Sequence, residues 1–128
     1  MTKYRNSTIF SSFNNAIRGL FIGIRSQRNI KFAIFISVIV LIAAFMLKFT
    51  AIDLALTFTS IVFDVFAELV NTTIEYVIDA YYRNKYSDIA RFCKDVAAGT
   101  VLIAIVNAFV IGSLLFAPKI VKFINISF

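Results

Sequence analysis

Three stretches of the chain read as apolar runs: Lys31 to Leu47, which is almost wholly apolar, about Leu54 to Val77, which carries a polar stripe, and about Ala97 to Ala117. Each approaches or exceeds the roughly 17–25 residues that a membrane-crossing helix needs. The first is near the lower limit, and Phe49 extends it. Ahead of them, Phe10, Phe13, Ile17, Leu20 and Ile24 recur at helical spacing, while Asn14, Arg18 and Arg25 fall elsewhere. That pattern predicts an amphipathic helix lying on the membrane surface. Polar breaks separate the elements at Arg25–Asn29, at Thr50–Asp53 with Asp53 as a cap, and at Tyr81–Val96. Pro118 follows the last apolar run, where a helix can stop. The pattern predicts an all-α membrane protein with a single domain over residues 1–128. Its surface helix is expected at about 9–25 and its spans at about 31–49, 54–78 and 97–117. Gly19 and Gly23, four apart, would permit close helix contact.

Composition agrees with a membrane setting. Of 128 residues, 60% are hydrophobic, against about half in soluble domains, and the mean hydropathy is +0.87. The polar start, up to about Phe10, lacks the order expected of a cleaved signal peptide. The net charge of +6 would suggest nucleic acid in a soluble protein. Here the basic residues flank apolar spans, so they report topology and contact with anionic headgroups, and no nucleic-acid partner is expected. Lys3, Arg5, Arg18, Arg25, Arg28 and Lys31 precede the first span, and Arg83, Lys85, Arg91 and Lys94 lie between the second and third. Only Lys48, Lys119 and Lys122 fall on the other side, which places the N-terminus inside and the C-terminus outside. The lone Cys93 and the lack of His exclude an internal disulfide and a Cys/His zinc site within one chain. Any metal must be hard and oxygen-bound.

One polar feature interrupts the second apolar run. Asp64, Glu68, Asn71, Glu75 and Asp79 fall within roughly 80° of one helix face, at about 100° per residue. A carboxylate at bilayer depth costs a few kcal/mol or more, so it is expected to face protein or water and to serve a function. The topology puts Glu75 and Asp79 near the cytoplasmic interface. Glu68 lies about 10 Å deeper than Glu75, at roughly 1.5 Å per residue, and Asp64 deeper still. The Gln27 break and the Lys94-Asp95 pair lie on the same cytoplasmic side. Carboxylates that hold Mg²⁺ can meet phosphates, a lysine can meet them directly, and a deeper carboxylate can take a proton from a lipid hydroxyl. The glycine-rich phosphate loop, the G-x-S-x-G elbow and any His-based triad are absent.

Two motifs point further. E-L-V-N-T-T-I-E at 68–75 with Asp79, and K-D-V-A-A-G-T-V at 94–101, closely resemble the small bacterial integral-membrane lipid kinases, the diacylglycerol kinase and undecaprenol kinase family. The resemblance runs from about Phe13 to Lys119, and F-x-x-A-x-x-G at Phe13, Ala16 and Gly19 fits the family's surface helix. The N-T-T-I-E form, K-D-V-A-A-G and the trailing F-x-P-K look more like the undecaprenol kinase branch.

The resemblance implies a homotrimer in the bacterial inner (cytoplasmic) membrane, with active sites shared between subunits and facing the cytoplasm. It implies transfer of the γ-phosphate of MgATP to a lipid alcohol, with Mg²⁺ as cofactor. By motif match Glu68 is the general base, Glu75 a metal-binding carboxylate, and Asn71, Lys94 and Asp95 surround the nucleotide. Gln27 stands where the family carries its second metal-binding Glu, so it is the second candidate for the metal and nucleotide site. Its carbonyl can ligate Mg²⁺ but brings no charge. That substitution motivates an alternative: a catalytically weakened or inactive scaffold of the same fold. The family's acidic-Tyr-His stretch reads Lys85-Tyr86-Ser87 here, and Asp64 stands where the family is usually apolar. For Asp64 a structural or tuning role is favoured over a catalytic one. Asp79 is expected to act around the site or to pair with Arg83, and Asp95 to act around the nucleotide or to cap the third span's helix. Asn107 is expected to hydrogen-bond between helices, and Thr57 and Ser60 to bond the local backbone.

Overall fold

The computed structural model describes residues 8–83 and 85–127; Lys3 and Arg5, which entered the charge reading, lie outside them. The described residues form α1 (Ile9–Ser26), α2 (Arg28–Met46), α3 (Ala51–Tyr82) and α4 (Asp88–Ser127). The regular structure of the described residues is all α-helical, and α2 and α4 are long and apolar enough to cross a bilayer, consistent with an all-α membrane protein.

Local chemistry sets the helix ends. Thr8 caps α1, its side chain accepting from the Ser11 N–H at 3.2 Å. Gln27 alone separates α1 from α2, with extended backbone at φ −117° and ψ 135°. One extended residue suffices to redirect the chain from the amphipathic helix into the apolar one. The apolar face of α1 stays exposed at Phe10, Phe13 and Ile17, as a helix bound for a membrane surface requires.

Three expected boundaries are corrected. Phe49 does not lengthen the first apolar helix, because α2 stops at Met46 and Lys48 turns left-handed at φ 53°. The turn instead buries Phe49, whose ring centre lies 4.6 Å from that of Phe116 on α4. The cap of α3 is Thr50 rather than Asp53. Thr50 accepts from the Asp53 N–H at 3.2 Å, and the Asp53 carboxylate accepts from the Thr50 N–H at 3.0 Å. This reciprocal pair satisfies two donors that the helix start would leave unbonded. Finally, α4 begins at Asp88 and runs through Pro118, so of the described residues only Arg83 and 85–87 lie between α3 and α4. Asp95 is therefore two turns inside α4 and caps nothing. Pro118 removes one backbone donor. Just beyond it, Lys119 is fastened to Asp53 at 3.3 Å and lies 5.7 Å from the Phe49 ring centre, which holds the next turn in place.

The longest helices, α3 and α4, extend about 48 Å and 60 Å at 1.5 Å per residue, well beyond a roughly 30 Å hydrocarbon layer. They pack antiparallel, and this hairpin carries most of the tertiary contact. The buried positions of α4 are Ala90, Ala97 and Ala104, seven apart; those of α3 include Thr57, Ser60, Ala67 and Asn71. Small side chains on both helices let the backbones approach closely, which is how helices associate where lipid removes the hydrophobic drive. Polar contacts fasten the pair at three levels: Lys94 with Asp79, Asn107 Nδ2 donating to Ser60 Oγ at 3.4 Å, and Lys119 with Asp53. The Asn107 expectation is met. Ser60 serves as its acceptor, while Thr57 donates to the Asp53 carbonyl at 2.8 Å. At the Asp53 level, hydrogen bonds from the Thr50 backbone and then its side chain hold the Asp53 carboxyl below its usual range, and Lys119 adds to this.

Candidate active site

The acidic stripe of α3 divides three ways. Its first members, Asp64 and Glu68, line a groove of about 1030 Å³ bounded by α2, α3 and α4. Arg28 and Asn29 stand at one end of the groove, and Phe116 and Ile120 at the other. Its walls are largely apolar, with Ile36, Val40 and Phe109 among them. Neither carboxylate makes a hydrogen bond or an ion pair with the described residues. Along α3, Asp64 lies one turn before Glu68 and Glu75 two turns after it.

The second part is a pair. Asn71 is 9% exposed, and its Nδ2 donates to Glu75 Oε1 at 3.3 Å. This is a one-turn contact along α3. The Asn71 Oδ1 is buried and has no hydrogen-bond partner. A buried acceptor left open costs about 1–3 kcal/mol unless something occupies it. An open amide oxygen beside a carboxylate is a hard-oxygen donor set.

The third part crosses to α4. Asp79 pairs with Lys94 at 2.5 Å, and not with Arg83. The reason is the hairpin: α4 returns beside the last turns of α3, bringing Lys94 within reach, whereas Arg83 lies at the left-handed residue that ends α3. Lys94 is consequently held over α3. Its neighbour Asp95 points elsewhere, 72% exposed and 3.7 Å from Arg91 one turn back. The two residues of the K-D motif thus serve different faces of α4.

Gln27 is half-buried at the α1–α2 break, and its side chain makes no capping bond to α2. No hydrogen bond among the described residues joins it to Glu75. In the connection, the Tyr86 hydroxyl donates to Asp88 at 2.8 Å, and Tyr81 stacks edge-on against Tyr82 with ring centres 5.0 Å apart. Helix α1 docks on α3 close to the site. A Cβ placed on Gly23 would lie 2.6 Å from Leu69 Cδ2, so this glycine gives α1 its close approach. Gly19 has open space around it and contributes no such contact.

Two features were not anticipated from the sequence. Asp79 acts as the partner of Lys94, a pairing that needed the hairpin register. Arg28 and Asn29 stand at the groove mouth, although charge counting used the first only for topology. No three His, Cys, Asp or Glu among the described residues converge to hold a metal. The fit to Mg²⁺ therefore rests on Glu75 and the open Asn71 Oδ1. Two oxygen ligands suit an ion that commonly keeps several waters and takes its remaining ligands from substrate phosphates.

Comparison with known proteins follows the same residues. A family model described as prokaryotic diacylglycerol kinase matches residues 14–116. The chain is 33% identical over 111 residues to a diacylglycerol kinase of Synechocystis sp. (strain ATCC 27184 / PCC 6803 / Kazusa). That match covers 87% of this chain and 63% of the relative, so this chain spans under two thirds of that protein's length. It is 35% identical over 111 residues to an undecaprenol kinase of Bacillus subtilis (strain 168), covering 87% of this chain and 89% of the relative. Identities of 33% and 35% do not separate the two branches.

Proposed function

Because the chain belongs to the prokaryotic diacylglycerol kinase family, we propose that it transfers the γ-phosphate of ATP to the hydroxyl of a membrane lipid alcohol at the cytoplasmic interface. The observation that carries this reading is Glu68, a carboxylate without a hydrogen-bond or ion-pair partner among the described residues that lines an apolar groove one turn from the Asn71–Glu75 pair. A lipid tail fits such a groove, and a carboxylate on its wall is placed to take a proton from the lipid's hydroxyl.

In the proposed reaction the Glu68 carboxylate accepts the hydroxyl proton as the lipid oxygen bonds to the γ-phosphorus. The bond from that phosphorus to the β,γ-bridging oxygen breaks, and ADP leaves with the electron pair. Charge accumulates on the γ-phosphoryl oxygens, so catalysis is mainly positioning and charge stabilisation. Lys94, held over α3 by Asp79, supplies a cation for phosphate oxygens. Glu75 and Asn71 Oδ1 would hold Mg²⁺, with Gln27 as a further neutral oxygen ligand. When bound, the ion neutralises phosphate charge. Asn71, through its bond to Glu75, keeps that carboxylate oriented.

In this reading α3 is a third span, tolerated by the bilayer because its acids face the groove and α4. The basic bias puts the groove's Arg28 end and Lys94 at the cytoplasmic face of the bacterial inner membrane, with the C-terminus outside. In the homotrimer that the family resemblance implies, Asp95, turned away from Lys94, would serve a site shared with a neighbouring subunit.

Purified protein in detergent with MgATP and either diacylglycerol or undecaprenol tests the proposal. Phosphoryl transfer to one lipid is expected, and loss of it in Glu68→Gln with assembly intact. Transfer to neither lipid would sink the kinase reading; full turnover by Glu68→Gln would remove Glu68 as base. Gln27 favours the second reading, a weakened or inactive scaffold. If Gln27→Glu raises turnover or lowers the Mg²⁺ requirement, the site is a weakened kinase site. If neither form binds MgATP, the scaffold reading takes over.

A further inference from the structure

The groove that Glu68 lines carries a second carboxyl that the proposed reaction does not use. Asp64 precedes Glu68 by one helical turn, about 6 Å along the axis at 1.5 Å per residue, and lines the same cavity. Helix α3 lends four polar side chains to this wall: Thr57, Ser60, Asp64 and Glu68. Thr57 is committed to the Asp53 carbonyl and Ser60 to the Asn107 amide. Across the groove, Ser37 of α2 donates to the Ala33 carbonyl at 2.7 Å. Asp64 is engaged in no such bond among the described residues. It is half-buried among apolar side chains, where a polar group without a partner is costly.

We propose that Asp64 is a specificity residue that hydrogen-bonds the ester region of a glyceride acceptor, selecting diacylglycerol over a polyprenol. The inference rests on the kinase reading above. The order of groups along the groove supports it: Glu68 first, Asp64 one turn further from the Arg28 end, then an apolar channel past Ile61, Val40 and Phe109. A 1,2-diacylglycerol presents the same sequence, with its free hydroxyl, then ester carbonyls within one helical turn, then tails. A carboxylic acid group donates one hydrogen bond, and an ester carbonyl accepts it. A polyprenol has no oxygen beyond its terminal hydroxyl, so in the same pose it would leave Asp64 unsatisfied beside hydrocarbon. Sites built to hydrogen-bond a ligand group discriminate strongly against analogues that lack it.

The test uses the full chain in detergent micelles with three acceptors: a 1,2-diacylglycerol, its ether-linked dialkyl analogue without carbonyls, and undecaprenol. Wild type is expected to show a higher kcat/KM for the diester than for the diether or the polyprenol. Asp64→Leu should lose about tenfold on the diester, the worth of one hydrogen bond, and little or nothing on the others. Asp64→Asn keeps a donor and should keep most of the preference. Equal loss on all three acceptors would make Asp64 merely structural and overturn the proposal, as would an unchanged diester preference in Asp64→Leu. Equilibrium binding of radiolabelled diacylglycerol separates this proposal from the kinase reading. Asp64-dependent binding without phosphoryl transfer would refute the kinase reading and uphold the Asp64 assignment. Binding indifferent to Asp64→Leu would refute the assignment whether or not transfer occurs.

Discussion

The seam between α3 and α4 makes a sharp prediction at Ala97. This residue is 1% exposed and lies midway between Ala90 and Ala104, which are buried on the same face. Its neighbour Ala98 is exposed on another face. Replacing Ala97 by Leu adds three heavy atoms where two helices already touch through small side chains. The helices must separate or rotate, and overpacking of this kind costs about 1–3 kcal/mol. Helix propensity is not the cause, since Ala and Leu differ by only a few tenths of a kcal/mol. Ala98→Leu carries the same propensity change without the clash, so it is the control. Unfolding by rising dodecyl sulfate in mixed micelles, followed by far-UV circular dichroism, should place Ala97→Leu about 1–3 kcal/mol below the control, or about 5- to 150-fold in the unfolding constant. The rate at which a thiol reagent labels Cys93, one turn before Ala97 and the chain's single cysteine, should rise in parallel. If the two variants unfold within about 0.5 kcal/mol of each other, the alanine seam does not set the spacing of the hairpin.

Other outcomes follow from the same geometry. The Asp53 carboxyl is held below its usual range by Thr50 and Lys119, so its stabilising contribution is present above its unfolded value near 3.9 and is lost as pH falls through the lower folded value. Thermal unfolding in detergent should show this acid sensitivity in wild type and a smaller one in Asp53→Asn. Lys48 adopts φ 53°, a left-handed conformation that costs a non-glycine residue about 1 kcal/mol, so Lys48→Gly should raise the unfolding midpoint while Lys48→Val lowers it. Asn107→Leu should cost about 0.6 kcal/mol, typical of an interhelical bond in a membrane protein, and a double-mutant cycle with Ser60→Ala should recover that coupling.

The sequence alone determined the helices and the candidate chemistry. Hydrophobic period is a local property, so it placed the amphipathic α1, the apolar α2 and the break at Gln27 close to where they stand. The clustering of Asp64, Glu68, Asn71, Glu75 and Asp79 on one face was equally legible, because helical phase follows from spacing. The ends of elements were less legible. Pro118 reads as a stop in isolation, but the helix continues because Lys119 beyond it is anchored on Asp53 and Phe49. Phe49 reads as more apolar helix, yet burial against Phe116 gives it a place in the turn.

The tertiary structure decided what each member of the acidic stripe meets. A stripe tells which side chains share a face; it carries no information on which helix comes to lie there. The spacing and register of the α3–α4 hairpin, set by small buried residues and three polar contacts, bring Lys94 to Asp79 and turn Asp95 away. The position of α2 opens the groove on Asp64 and Glu68, while Asn71 closes onto Glu75 within α3 itself. Apart from that local bond, those relations join residues far apart in the chain, and their energy comes from helix–helix packing that local pattern does not encode.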